Sequence, residues 1–112
     1  MLRRIIIVSL LVVLSACSSN KFKEESTNSP AEVNAKLGLA YMQQGDLKLA
    51  LEKLQRALRY DSKSAMAHHY ITEVYSQLDS NEDAEMHYKR AIELKPEDLA
   101  LQNNYGIFIC DQ

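Results

Sequence analysis

Tryptophan is absent from these 112 residues, cysteine and proline occur twice each, and glycine occurs three times. Two cysteines cannot knit a disulfide-rich scaffold. No glycine-rich phosphate loop is present, and neither is a G-x-S-x-G or H-E-x-x-H run or a clustered Cys/His ligand set. The chain therefore offers no catalytic residue, no metal site and no call for a cofactor or a small-molecule substrate. A cationic excess is also missing. Lys+Arg number 13 against Asp+Glu 15, for a net charge of −2, which argues against electrostatic capture of nucleic acid. The length allows one small domain and excludes large multi-layer enzymes. What remains, 46% hydrophobic and 25% charged, is ordinary globular composition.

The first segment reads as an address. Arg3 and Arg4 precede an apolar run at residues 5–14. Ten residues reach ~15 Å as a helix, about half of a ~30 Å hydrocarbon core, so the run suits a signal peptide better than a membrane span. Leu14-Ser15-Ala16-Cys17 resembles the bacterial lipobox. That resemblance implies cleavage after residue 16 and acylation of Cys17. Several acyl chains on one cysteine anchor a protein stably, whereas a single chain is marginal. Cleavage removes two arginines and no acid, so the mature chain has no basic patch to add a second membrane contact. Ser18 rather than Asp follows the cysteine, which in similar lipoproteins implies the outer membrane, facing the periplasm. Residues 17–29 are the lipidated cysteine and a polar tether with Phe22 as its one large apolar side chain; such composition does not order itself.

Structure is expected over residues 30–112. Ser29-Pro30-Ala31-Glu32 reads as a capping box, with Ser29 as cap, Pro30 at the first helical position and Glu32 reaching back. Shifting the chain by 34 residues then aligns it with itself. Leu37 falls on Ile71, Tyr41 on Tyr75, Ala50 on Ala84, Leu54 on Tyr88, Ala57 on Ala91 and Leu58 on Ile92. Apolar residues recur at helical spacing, and no run alternates with a period of two. Gly45 and Asp46 form a helix stop and start, and Ser80 caps the equivalent helix in the second unit. The pattern resembles the tetratricopeptide repeat through Leu37, Gly38, Tyr41, Ala50 and Ala57 in one copy and Tyr75, Ala84, Tyr88, Ala91 and Pro96 in the next. Thr72 and Ser62 replace the usual Gly and Pro, and Asn34 and His68 stand where Trp is common. The expectation is an all-α array: a repeat at 31–64, a second at 65–98, and the first helix of a third at 99–112. The ten residues just named are its packing positions, the small ones letting helices approach closely.

Few side chains suggest chemistry. His68 and His69 point about 100° apart on a helix and cannot share a metal. His69 and Glu73 stand at i, i+4 and read as a solvated pair. His87 reads as surface. Cys110 has no base placed to activate it and reads as a small buried apolar side chain, a disulfide to a cysteine elsewhere being the alternative. The repeat resemblance instead implies a concave docking face built from the first helix of each unit. Carried over by position, it consists of Glu32, Ala35, Leu39, Met42, Met66, His69, Glu73, Asn103, Ile107 and Cys110. The Lys/Asn clamp for a terminal carboxylate found in some members is missing.

The run Leu101-Gln102-Asn103-Asn104-Tyr105-Gly106-Ile107-Phe108-Ile109-Cys110 narrows the resemblance to the type IV pilus biogenesis and stability lipoproteins, the PilW (PilF) family. Membership implies a non-enzymatic outer-membrane scaffold that helps the pilus secretin localise and multimerise. Other readings stay open: a general tetratricopeptide lipoprotein adaptor for cell-wall enzymes or, more remotely, a periplasmic enzyme or solute binder. Members of that family are about twice as long, so the chain reads as C-terminally truncated. Its helix 99–112 is then expected to bury one side only and to fray.

Overall fold

The computed structural model describes residues 28–112. The signal-peptide reading, the lipidation of Cys17 and most of the tether lie outside the described residues. Five helices follow one another: α1 (Pro30–Gln43), α2 (Leu47–Tyr60), α3 (Ala65–Gln77), α4 (Asn81–Leu94) and α5 (Leu99–Cys110). Among the described residues there is no strand. None of these helices is long and apolar enough to cross a membrane.

Local chemistry sets the helix ends. Ser29 Oγ accepts from the Glu32 amide at 3.2 Å, with Pro30 at the first position. The capping box is half made, because the Glu32 carboxylate pairs with Lys36 one turn on, at 2.6 Å, instead of returning to Ser29. Gly45 ends the first helix in the left-handed region (φ +82°), and Asp46 Oδ1 accepts from the Leu49 amide at 3.0 Å to start α2. Thirty-four residues later Asp79 repeats that turn with φ +56°. Ser80, however, makes no side-chain bond to α4, contrary to its expected capping role. Glu82 and Asp83 in the first turn of α4 meet the positive end of its dipole in its place. Ser64 and Asp98 cap α3 and α5 through the Ala67 and Leu101 amides, at 3.2 and 3.0 Å.

α1 with α2 and α3 with α4 form antiparallel hairpins; α3 also lies on both earlier helices, and α5 rests on α4. The small residues allow this. Ala50, Ala57, Ala84 and Ala91 are wholly buried. At Gly38 a Cβ would overlap the Leu54 side chain, lying 2.7 Å from its Cδ2 and closer still to its Cγ. Leu54, Ile71, Val74 and Thr72 are the largest fully buried side chains. Burial of an aliphatic side chain such as Leu54 or Ile71 is worth ~1.5–3 kcal/mol. Tyr41 and Tyr75 pack half-buried against this core. A second cluster joins Tyr88, Ala91 and Leu101, flanked by Tyr105 and Phe108.

Two expected packing residues depart from that role. Leu37 is 42% exposed while its counterpart Ile71 is 0% exposed. Ile71 belongs to the core that α3 shares with α2, whereas among the described residues no helix precedes α1. Pro96 is exposed in the turn between α4 and α5, where its carbonyl accepts from the Gln102 side-chain amide. Its part is to end a helix, not to pack.

Candidate functional site

α3 and α5 are the first helices of successive units, run in the same direction, and leave a groove between them. Two depressions lie along it. One, of about 170 Å³, is lined by Met66, His69 and Tyr70 of α3 with Lys95, Asp98 and Leu101 at the start of α5. The other, of about 370 Å³, lies at the far ends of both helices, among Glu73, Ser76, Asn104, Ile107, Phe108 and Asp111. Its floor includes Tyr88, whose ring lies 5.2 Å from Phe108 and 5.5 Å from Tyr105.

The expected docking residues divide between this groove and the core. Met66 and Ile107 are exposed, 37% and 54%, and His69 and Glu73 are half-buried, all on the groove. Asn103 is exposed on α5, and Leu39 and Glu32 are half-buried on α1. Ala35 (0%) and Met42 (8%) are corrected: both belong to the core cluster with Ala67, Ile71 and Val74 of α3, which closes over them, so they present no docking surface. Cys110 is likewise exposed rather than buried, because it sits at the end of α5 on a side that no described helix covers. Sequence reasoning missed Tyr70, Ser76, Lys95, Asn104, Phe108 and Asp111. Ser76 was within reach, since it shares the register of Met42 and Cys110.

The groove's polar groups are unevenly committed. His69 Nε2 lies 3.5 Å from Glu73 Oε1 and, though buried, makes no hydrogen bond. Asp98 is occupied as the α5 cap. Lys95 and Asp111 form no ion pair among the described residues. Beside the groove Tyr105 donates to Glu85 at 3.2 Å. Burial, reinforced by that bond, pushes the Tyr105 hydroxyl above its ordinary range. Lys89, hydrogen-bonded to Glu85 with a 2.7 Å contact, holds the Glu85 carboxyl below the usual carboxylate range.

Away from the groove, two histidines nineteen residues apart meet between α3 and α4. His68 Nδ1 and His87 Nδ1 are 2.9 Å apart, and His68 Nε2 is 3.0 Å from the Ser62 carbonyl. A carbonyl only accepts, so His68 carries its proton on Nε2 and its Nδ1 accepts from His87 Nδ1–H. His87 also stacks on Tyr75, with centroids 5.7 Å apart. It is half-buried rather than the surface residue expected, and burial together with His68 lowers its pKa, opposed by Asp83. The helix pattern gave no sign of this pairing. Among the described residues no three His, Cys, Asp or Glu converge on a metal position.

Comparison with known proteins agrees with this geometry. The tetratricopeptide (TPR) repeat family is matched over residues 38–79 and again over residues 73–98. An uncharacterized protein of Haemophilus influenzae is 30% identical over 100 residues, covering 89% of this chain and 56% of the relative. The type IV pilus assembly protein PilF of Pseudomonas aeruginosa is 29% identical over 115 residues, covering 98% of this chain and 46% of the relative. The chain thus spans about half the length of the curated relatives it matches. With its five helices in repeat register and those matches, the chain belongs to the tetratricopeptide-repeat superfamily, whose members are scaffolds for protein–protein interaction.

Proposed function

We propose that this chain is a docking scaffold for type IV pilus assembly, held at the periplasmic face of the outer membrane by acyl chains on Cys17. In this reading its partner is the pilus secretin, which it helps to reach the outer membrane and multimerise. The observation that carries the reading is the similarity to PilF of Pseudomonas aeruginosa across 98% of the chain, repeats and N-terminal segment together. An open groove with mixed polar and apolar walls is the architecture that a docking scaffold needs. Deleting the gene tests the function: surface pili and heat-stable secretin multimers both fall, and restoring the gene recovers them. Normal pili and normal multimers in the deletion strain overturn the pilus reading. The anchor has its own test. Cys17→Ser blocks incorporation of labelled fatty acid, and label that still enters the variant rejects Cys17 as the anchor.

A further inference from the structure

The geometry points to a specificity that the repeat fold alone does not supply: we infer that the α3–α5 groove binds an extended segment of its protein partner that inserts a Lys or Arg side chain between Glu73 and Asp111. This rests on the docking reading above and adds the chemistry of the partner. The groove is polarised along its length. Met66 to Ser76 is ten residues of helix, about 15 Å, enough for about five residues of extended chain. At its far end lie the C-terminal turns of both α3 and α5, where the helix dipoles place partial negative charge even though cap amides take up several of the terminal carbonyls. Glu73 and Asp111 add two carboxylates there, and no Lys or Arg lines that depression. The Glu73 carboxylate has a histidine 3.5 Å away, and Asp111 has no ion-pair partner among the described residues. α5 itself carries no charged residue between Leu99 and Cys110, so nothing on it offsets the acids. The walls suit the stem of a long cationic side chain as well as its head. Ile107 and the half-buried Phe108 give apolar surface for the methylenes, over a floor that includes the buried Tyr88. The near end differs: Met66 and Tyr70 stand there among His69, Lys95 and Asp98, with Asp98 committed to the α5 cap, a mixed surface suited to an uncharged side chain of the same segment.

Acetylated and amidated octapeptide mixtures test this, with randomised flanks and a fixed Arg, Lys, Glu or Leu at position five. Each is titrated into the ¹⁵N-labelled chain while amide shifts are followed. The Arg and Lys mixtures move the Glu73, Ser76, Asn104 and Asp111 amides; the Glu mixture does not. The double variant Glu73→Gln/Asp111→Asn weakens binding of the Arg mixture about fivefold, the size expected for two partly exposed ion pairs. Equal response to Arg and Glu mixtures overturns the cation specificity while leaving the docking reading intact. If no mixture moves a groove amide, docking at this groove falls as well. The tether's own Lys21-Phe22-Lys23 is the competing occupant. A peptide of residues 18–29 that moves the same amides more strongly than the Arg mixture overturns the assignment to a partner protein.

Discussion

Gly38, Thr72 and Gly106 occupy one position of the 34-residue register in three different surroundings. At Gly38 the α2 helix comes so close that a Cβ would overlap Leu54. At Thr72 the side chain is wholly buried, and its hydroxyl donates to the His69 carbonyl. Around Gly106 nothing lies within 4 Å of a built Cβ. The same substitution therefore has opposite signs at the two glycines. Gly38→Ala lowers stability by about 1–3 kcal/mol through overpacking, whereas Gly106→Ala raises it by about 0.5–1 kcal/mol through helix propensity. Urea unfolding of the two variants checks both signs, and equal effects would reject the packing account. The histidine pair is the second residue-scale case. His87 has its pKa lowered from the ordinary 6.5, by burial first and by His68 second. The unfolded chain thus takes up protons more readily than the folded one, so stability is full above pH ~6.5 and declines as the pH falls below it. Protonating His87 would place its charge on a half-buried ring stacked on Tyr75. Denaturation curves at pH 7.5 and 5.5 show the loss, and His87→Gln makes it smaller. A variant as acid-sensitive as the parent would contradict this assignment.

At the scale of elements, α5 stands apart from the four helices before it. Its apolar residues gather on no single face, interrupted by Gln102, Asn103 and Asn104, and of its residues only Leu101 is fully buried, at 2% exposure against 75% for Leu99 and 50% for Ile109. Leu101 closes the cluster with Tyr88 and Ala91, and the Tyr105 and Phe108 rings brace it. Leu101→Ala removes that closure at a local cost of ~2–4 kcal/mol. Hydrogen exchange then shows α5 amides losing protection while those of α1 to α3 keep it, and uniform loss along the chain would show α5 to be integral to one cooperative unit. The helices themselves were legible in the sequence because side-chain period, Gly45 and the small-residue positions all act locally or between neighbouring helices. Leu37 as core and Met42 as groove differ from the sequence reading for one reason: each is decided by which helix lies across it, and a 34-residue repeat does not say that. Ser80 is a local difference, its side chain making no bond to α4, whose first turn carries Glu82 and Asp83 instead.

At the scale of the whole array, the groove of the described residues carries more chemical information than the core. Alanine and leucine positions explain how α1 to α4 pack, yet they would serve any partner equally well. Selectivity resides in side chains that the repeat leaves free: Met66, Tyr70 and Lys95 at one end, Glu73, Phe108 and Asp111 at the other. Part of that set was readable from the sequence, since Met66 and Glu73 sit in the groove register. Lys95 and Asp111 lie beyond the helices, where no periodicity places them. The His68–His87 contact depends on how α3 and α4 rotate against each other and left no pattern at all. The most direct test of the account is to express Glu73→Lys/Ile107→Asp in the gene-deleted strain, with Met86→Asp on the exposed side of α4 as the control. The account predicts that both proteins accumulate normally, that the control restores secretin multimers and surface pili, and that the groove variant restores neither. Full restoration by the groove variant would contradict it.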